Sequence, residues 1–453
     1  MPTAVEEDPP VTEMAHALAD APRNVSLGAA LAEARERYVA RNPASLAAHA
    51  EAAAVMPGGN TRTVLFHPPF PLAIARGEDC RLWDADGHEY VDLLGEYTAG
   101  LYGHSHPVIR AALDRALDAG WNLGGHGVME ARLARLVCDR FPGVDLVRFT
   151  NSGTEANLMA VATAVAATGR RKVLVFDGAY HGGVLYFGGG GIPINAPHGW
   201  VLGQYNDADG AAALVRAHTA DLACILVEPM MGSGGCIPAE PSFLQALRDG
   251  ADAAGAVLVF DEVMTSRMSG GGQQERLGIT PDMTTLGKYI GGGMSFGAFG
   301  GRRNLLALYD PRRPGALPHA GTFNNNALTM AAGVAGLTQV FTPEAADALF
   351  ARGEALRLAL NRLAAERGVP MQWTGLGSLM TAHFQRGAIR RPADLCSDPG
   401  LRELFHLDML ERGFHLARRG MVALSLPVGP AETDAFLAAV EEFLDARAPL
   451  LQG

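Results

Sequence analysis

Lysine is scarce in this chain. Of its 37 lysine and arginine residues only two are lysine, Lys172 and Lys288, and the formal net charge is -11. This balance excludes the broad basic face that nucleic acids or anionic lipids require. Apolar runs long enough to cross a membrane are missing, and the first residues, MPTAVEEDPPVTEM, lack the basic and apolar regions of a signal peptide. We therefore expect a cytoplasmic protein without a nucleic-acid or membrane partner.

Cysteines are few and scattered. The five residues are Cys80, Cys138, Cys224, Cys236 and Cys396, an odd number without a CxxC pair or a Cys/His cluster at metal-ligand spacing. This pattern is typical of reduced thiols in a cytosolic protein. The sequence therefore predicts neither a disulfide framework nor a metal site.

Length and composition are typical of a large globular enzyme. The chain has 453 residues, of which 48% are hydrophobic and 19% charged, enough for a large core in two or three domains. We expect a flexible extension over residues 1–25, followed by N-terminal helices and part of a small domain over 26–104. A large α/β domain should cover 105–330, and the rest of the small domain 331–453.

The middle of the chain alternates helical segments with short, continuously apolar runs. These runs are VRFT at Val147, KVLVF at Lys172, CILVEP at Cys224 and AVLVFDEV at Ala256. Uninterrupted β-branched runs between helices are typical of strands buried on both faces. The sequence therefore predicts a mainly parallel α/β sheet, with a smaller α+β domain built from both chain ends.

Small polar residues follow the first of these runs, in FTNSGTEANLMA. Ser152, Gly153 and Thr154 offer hydroxyls and backbone N–H groups at the start of a helix, a combination that suits a phosphate. An ordinary helix cap, with Glu155 nearby, explains the same residues. Taken alone, this motif favours the helix cap.

Acidic and aromatic residues follow the other apolar runs. Asp261 closes the run VLVFD, where a lone carboxylate is costly unless a cation pairs with it, and a protonated pyridine nitrogen is such a cation. In FDGAYHGG, Tyr180 offers a face for a ring to stack on and His181 a hydrogen bond. Glu228, in LVEP, places another acid just past a strand. A helix-capping aspartate, a packed tyrosine and a satisfied histidine are the alternative interpretations.

Lys288 lies between an apolar run and a glycine run, in MTTLGKYIGGG. An amine, unlike a guanidinium, loses its proton near neutral pH and condenses with a carbonyl. A surface lysine on a loop is the alternative. The order of the motifs is more specific than any one of them, because a phosphate turn, a stacking aromatic, a buried acid and a lone lysine together meet the needs of pyridoxal phosphate.

The motifs NSGTEA, YHG, VEP, DEV and LGKYIGGG resemble those of the class III aminotransferases of pyridoxal phosphate fold type I, and most of all the branch that contains glutamate-1-semialdehyde aminomutase. The resemblance runs from about Arg35 to the C-terminus and implies a seven-stranded, mainly parallel sheet. It also implies a Schiff base on Lys288, pairing of Asp261 with the pyridine nitrogen, and Val263 and Tyr180 on the two ring faces. His181 and Glu228 complete the cofactor site.

The same resemblance implies how the phosphate is held. Ser152, Gly153 and Thr154 bind it, and GTFNNN is similar to the segment in which Thr322 reaches the phosphate of the neighbouring subunit. A homodimer with shared active sites is therefore expected.

Two arginines bear on the substrate. MPGGNTRTVLFHPPF, LGEYTAGLYGHS, DEVMTSR and the region before LSLP are similar to bacterial β-phenylalanine (β-amino acid) aminotransferases. That resemblance implies that Arg62 binds the carboxylate of the β-amino acid and that Arg419 binds the distal carboxylate of 2-oxoglutarate. Arg418 adjoins Arg419 and leaves the choice open, and we prefer Arg419 because it directly precedes Gly420. A solvated surface charge is the alternative for either arginine.

We therefore expect transamination of an aromatic β-amino acid, such as (S)-β-phenylalanine, with 2-oxoglutarate or pyruvate. The alternatives are an isomerase of the glutamate-1-semialdehyde aminomutase kind, an ω-amine transaminase without carboxylate recognition, and a non-catalytic phosphate-ligand binding protein.

Overall fold

The computed structural model describes residues 26–451, and the predicted extension over 1–25 lies outside them. The strands are β1 Ile74–Glu78, β2 Arg81–Asp84, β3 Glu89–Asp92, β4 Leu146–Thr150, β5 Lys172–Phe176, β6 Gly199–Gly203, β7 Leu222–Val227, β8 Met230–Met231, β9 Ile237–Pro238, β10 Val257–Asp261, β11 Met283–Gly287, β12 Gly297–Gly301, β13 Gln372–Leu376, β14 Leu379–His383, β15 Phe414–His415 and β16 Met421–Ala423. The α-helices are Leu27–Arg41, Pro43–Ala53, Pro107–Ala119, Val128–Arg140, Gly153–Thr168, Ala208–Ala217, Pro241–Ala254, Gly272–Leu277, Arg303–Leu306, Ala327–Ala335, Pro343–Glu366, Pro399–Glu411 and Pro430–Leu451.

The first two helices are separated at Asn42. The hydroxyl of Ser26 caps the first helix by accepting a hydrogen bond from the N–H of Ala29. Pro43 begins the second helix, where its fixed φ suits the helix and its missing N–H removes no helical hydrogen bond.

Seven strands form the large sheet, in the order β4-β12-β11-β10-β7-β5-β6. Only β12 runs antiparallel to its neighbours; the other adjacent strands pair in parallel. Strands β7, β10 and β11 are buried along their whole length, and helices such as Gly153–Thr168 and Pro241–Ala254 contribute to the same core. The predicted mainly parallel α/β sheet is therefore confirmed.

Smaller sheets connect the two ends of the chain. Strands β13, β14 and β16 form an antiparallel sheet, and β1, β2 and β3 form another, in which Asp86-Gly87 lies in the turn between β2 and β3, with Gly87 at φ 90°. Strand β15, from the C-terminal part of the chain, pairs in parallel with β3. The N-terminal and C-terminal segments therefore fold together.

Two features are absent from residues 26–451. No helix there combines the length and apolar character needed to cross a membrane. The same residues also contain no cluster of three or more His, Cys, Asp or Glu side chains that could hold a metal ion.

Candidate active site

One edge of the large sheet gathers most of the predicted site residues. Strands β4, β5, β7, β10 and β11 run in one direction, since β4 and β11 are both antiparallel to β12. Their carboxyl ends therefore share an edge, where ligands bind in open α/β sheets. Ser152 follows β4, Glu228 follows β7, Asp261 ends β10 and Lys288 follows β11.

The turn after β4 caps the following helix and packs closely against two other segments of the chain. The hydroxyl of Ser152 accepts a hydrogen bond of 3.2 Å from the N–H of Glu155, so the helix-cap interpretation of this motif is observed. A Cβ on Gly153 would lie only 2.9 Å from a methyl carbon of Val263. Thr154 Oγ1 accepts a hydrogen bond of 3.2 Å from the N–H of Gly183. The predicted phosphate turn thus lies against both the Asp261 segment and the His181 segment.

Asp261 is buried, with 5% of its surface exposed, and has several hydrogen-bond donors. Its Oδ2 accepts from Asn157 Nδ2 and from His181 Nδ1, each at 2.8 Å. Thr285 Oγ1 donates to Asn157 Oδ1 at 2.7 Å and fixes that amide. The side chain of Asp261 is therefore held in one orientation by the neighbouring helix and by the loop after β5.

Glu228 is buried beside this group and bonds to backbone rather than to a cation. It accepts hydrogen bonds from the N–H groups of Tyr180 at 3.0 Å and Gly232 at 2.9 Å. Burial, together with the nearby Asp261, raises the pKa of the Glu228 carboxyl, and His181 opposes this shift. Glu228 thus fixes the backbone of Tyr180, whose side chain is 46% exposed.

Lys288 adopts a left-handed backbone conformation, with φ 56°, directly after the last residue of β11. Its Nζ donates a hydrogen bond of 2.7 Å to the backbone oxygen of Tyr97. Burial is the largest cause that lowers the pKa of the Lys288 amine to about 8, and the positive charge of Arg62 adds to it. Asp261 and Glu96 raise the pKa and limit the shift. About a tenth of the amine is therefore neutral at pH 7.

The guanidinium groups of the two predicted arginines both pack against the ring of Tyr97. The guanidinium carbons of Arg62 and Arg419 are each 5.3 Å from the ring centroid of Tyr97, a distance at which cation–π attraction acts. Arg62 also forms an ion pair with Glu96. Arg418, in contrast, pairs with Glu403 at 2.8 Å.

Three residues of this group were not predicted as site residues. Tyr97 and Glu96 lie in LGEYTAGLYGHS, a segment that marked the resemblance without a role for either side chain. Asn157 lies inside NSGTEAN, but an asparagine in a helix gives no signal of its own. A cavity of about 680 Å³ borders Glu96 and Tyr97, with Leu94, Ala417 and other residues in its wall.

Thr322 is exposed, in the loop before helix Ala327–Ala335. Asn324, from the same loop, accepts a hydrogen bond of 3.0 Å from Asn151 Nδ2, so this loop contacts the turn that contains Ser152. The expected contact of Thr322 with a neighbouring subunit stays a prediction.

These residues fit pyridoxal phosphate. Lys288 supplies an amine that is partly neutral, and Asp261 a buried acceptor for a ring nitrogen. The buried Nε2 of His181 has no hydrogen-bond partner within residues 26–451. The turn at Ser152 and Gly153 supplies N–H groups at a helix start for a phosphate.

The family model of class III aminotransferases matches residues 66–187 and 204–426. The chain belongs to the class III aminotransferases. This aminotransferase is 55% identical over 429 residues to β-phenylalanine transaminase from Variovorax paradoxus, which covers 94% of this chain and 99% of that protein. A glutamate-1-semialdehyde 2,1-aminomutase from Sorangium cellulosum is 37% identical over 394 residues, 83% of this chain and 90% of that protein.

Solved structures agree with this membership. The crystal structure of a β-phenylalanine aminotransferase from Variovorax paradoxus superposes with a TM-score of 0.93, at 55% identity, over 94% of this chain and 99% of that chain. A transaminase with PLP bound superposes with a TM-score of 0.83, at 32% identity, over 91% and 98%. The predictions of the family, of an aminotransferase, of the fold and of pyridoxal phosphate as cofactor are therefore confirmed.

Proposed function

We propose that this aminotransferase moves the amino group of an aromatic β-amino acid, such as (S)-β-phenylalanine, to 2-oxoglutarate or pyruvate. The observation that carries the proposal is the pair of guanidiniums, Arg62 and Arg419, on the ring of Tyr97, whose backbone oxygen bonds Lys288. A guanidinium binds a carboxylate through two parallel hydrogen bonds. The 55% identity to the β-phenylalanine transaminase supports the substrate class.

The cofactor supplies an aldehyde that bonds to amines and a ring that accepts electrons. Asp261, oriented by His181 and Asn157, would accept a hydrogen bond from the ring nitrogen and stabilise its protonated form. Val263 and Tyr180 would flank the ring, and Glu228 holds the Tyr180 backbone. Ser152, Gly153, Thr154 and, in a homodimer, the partner subunit's Thr322 would hold the phosphate.

Lys288 has two roles in this proposal. Its amine would be the nucleophile toward the cofactor aldehyde, and the lowered pKa of about 8 favours the neutral form that this role needs. Nζ would also be the base that removes the proton from the amino-bearing carbon of the donor. The backbone oxygen of Tyr97 accepts a hydrogen bond from this amine and keeps it near the two arginines.

The two arginines divide the recognition of donor and acceptor. In a β-amino acid one more carbon separates the carboxylate from the amino-bearing carbon than in an α-amino acid, and Arg62 holds that carboxylate. Arg419 binds the distal carboxylate of 2-oxoglutarate and moves aside for an aryl group.

The homodimer, the cytoplasmic location and the domain boundaries 26–104, 105–330 and 331–453 are part of the same proposal.

A half-reaction screen tests the substrate class. The cofactor-loaded enzyme is mixed, without an acceptor, with α-, β- and ω-amino compounds, and the loss of its visible absorption is recorded. We expect aromatic β-amino acids to react fastest. A response to α-amino acids or simple amines alone would overturn the β-amino acid assignment and leave the aminotransferase class intact.

Two further measurements separate the remaining alternatives. Steady-state turnover that depends strictly on an added oxo acid rejects an aminomutase, which moves an amino group within one molecule. Replacement of Arg62 by alanine should raise the KM of a β-amino acid by about 10- to 150-fold, the equivalent of a lost charge-assisted hydrogen bond of roughly 1.5–3 kcal/mol. An unchanged KM would favour an ω-amine transaminase without carboxylate recognition.

A further inference from the structure

Four consecutive residues beside the site adopt left-handed backbone conformations. They are Gly95, Glu96, Tyr97 and Thr98, with φ of 53°, 48°, 50° and 81°. Residues with a Cβ rarely adopt this conformation, and they persist in it where the surroundings hold them. Thr98 is buried, with 1% of its surface exposed, and the N–H of Gly100 donates to Gly95 O at 2.8 Å. The turn is therefore anchored at both ends.

This turn gives two adjacent residues different roles. The backbone oxygen of Tyr97 faces Lys288, and its ring lies beneath both guanidiniums. The carboxylate of Glu96 forms an ion pair with Arg62, and its side chain remains 59% exposed. An ion pair this exposed is weak and exchanges readily.

Arg419 has no such acidic partner among the residues that the structure describes. Within residues 26–451 the guanidinium donates one hydrogen bond, from Nη2 to the sulfur of Met421 at 3.0 Å, and its buried Nε has no hydrogen-bond partner. No carboxylate of that part of the chain lies within 4.0 Å of its nitrogens, whereas Arg62 has Glu96. Within residues 26–451, Arg62 is thus already paired with a carboxylate of the protein, whereas Arg419 is not.

We propose that Glu96 is a specificity-determining residue that stands in for the substrate carboxylate on Arg62 and is displaced when that carboxylate binds. The inference rests on the proposed function, in which Arg62 binds the donor. The exchange replaces one carboxylate on Arg62 by another. A ligand without a carboxylate cannot displace Glu96, whereas Arg419 accepts its carboxylate without competition.

The test measures binding without turnover. The dissociation constant of 3-phenylpropanoate, which has the carboxylate and the aryl group but no amine, is determined by calorimetry on cofactor-loaded enzyme. We expect Glu96→Gln to bind it roughly two- to fivefold more tightly than the wild type, which corresponds to an exposed ion pair of about 0.4–1 kcal/mol. Glu96→Ala, which removes the same carboxylate by truncation, should change affinity in the same direction.

Two matched variants serve as controls. Glu89→Gln removes an equal charge from another exposed ion pair, with Arg81 at 2.8 Å, and should leave affinity unchanged. In the Arg62→Ala background, Glu96→Gln should no longer tighten binding, because the arginine for which the carboxylates compete is gone. Thermal unfolding of each variant verifies that the fold is kept.

The outcomes distinguish the two proposals. If Arg62→Ala leaves the affinity for 3-phenylpropanoate unchanged, the proposed function itself fails. If Arg62→Ala weakens binding but both Glu96 variants bind no more tightly than the wild type, the role of Glu96 is overturned and the proposed function stands.

Discussion

Capture of pyridoxal phosphate by the cofactor-free enzyme should depend on pH through Lys288. The neutral amine is the reactive form, and burial, with Arg62, lowers its pKa from 10.5 to about 8. At pH 7 a lysine with the ordinary pKa is only about 0.03% neutral, whereas a pKa of about 8 leaves roughly 9% neutral, an increase of about 300-fold. Below pH 8 the rate should rise about tenfold per pH unit, and above pH 9 it should level off.

The assay is stopped-flow absorption at the wavelength of bound cofactor, over pH 6 to 10. Reaction of the same cofactor with Nα-acetyl-lysine gives the reference curve and removes the cofactor's own titration from the comparison. Two variants should move the midpoint of the curve of capture rate against pH in opposite directions. Arg62→Ala should raise it, because Arg62 lowers the pKa of Lys288, and Glu96→Gln should lower it, because Glu96 raises that pKa.

A midpoint for the enzyme equal to that of the free lysine derivative would refute the reasoning, because it would mean that burial does not perturb the amine. Shifts of both variants in the same direction would refute the electrostatic part alone.

Three further substitutions test other parts of the structure. Asp261→Asn should retain cofactor binding, followed by absorption, and lower kcat at least about a hundredfold, as loss of one oriented electrostatic group does. Gly153→Ala, whose Cβ would lie 2.9 Å from Val263, should weaken cofactor binding in equilibrium titration and cost about 1–3 kcal/mol of unfolding free energy. Asp408→Ala should cost about 3–5 kcal/mol in urea unfolding, because Arg447, 1% exposed and paired with it at 2.8 Å, stays buried; a cost below about 1 kcal/mol would contradict this.

The strands of the large sheet were predictable because their burial follows from the local amino-acid composition. Runs such as KVLVF and CILV need no partner to identify them, since a continuous β-branched segment between helices is buried on both faces wherever it lies. The residues at strand ends, Asp261 and Lys288 among them, follow from this pattern, because parallel strands bring their carboxyl ends together.

The partners of the arginines were not predictable in this way. Glu96 and Tyr97 are positioned by left-handed backbone conformations of residues that are not glycine. The residue types in this segment therefore do not predict the turn. The choice between Arg418 and Arg419 depends on Glu403, which pairs with Arg418 and lies in a different element. Contacts of this kind are set by tertiary packing and cannot be read from one segment.

The pairing of β15 with β3 has a consequence for how the enzyme diversifies. In the proposed function, the reaction chemistry resides in the middle of the chain, with Asp261 and Lys288 at the ends of strands of one sheet, while Arg62 and Arg419 come from opposite ends of the chain that this pairing joins. Substitutions in the terminal segments can therefore retune which acid is accepted without disturbing proton transfer. Swapping those segments as a unit between relatives should exchange selectivity and preserve the underlying turnover.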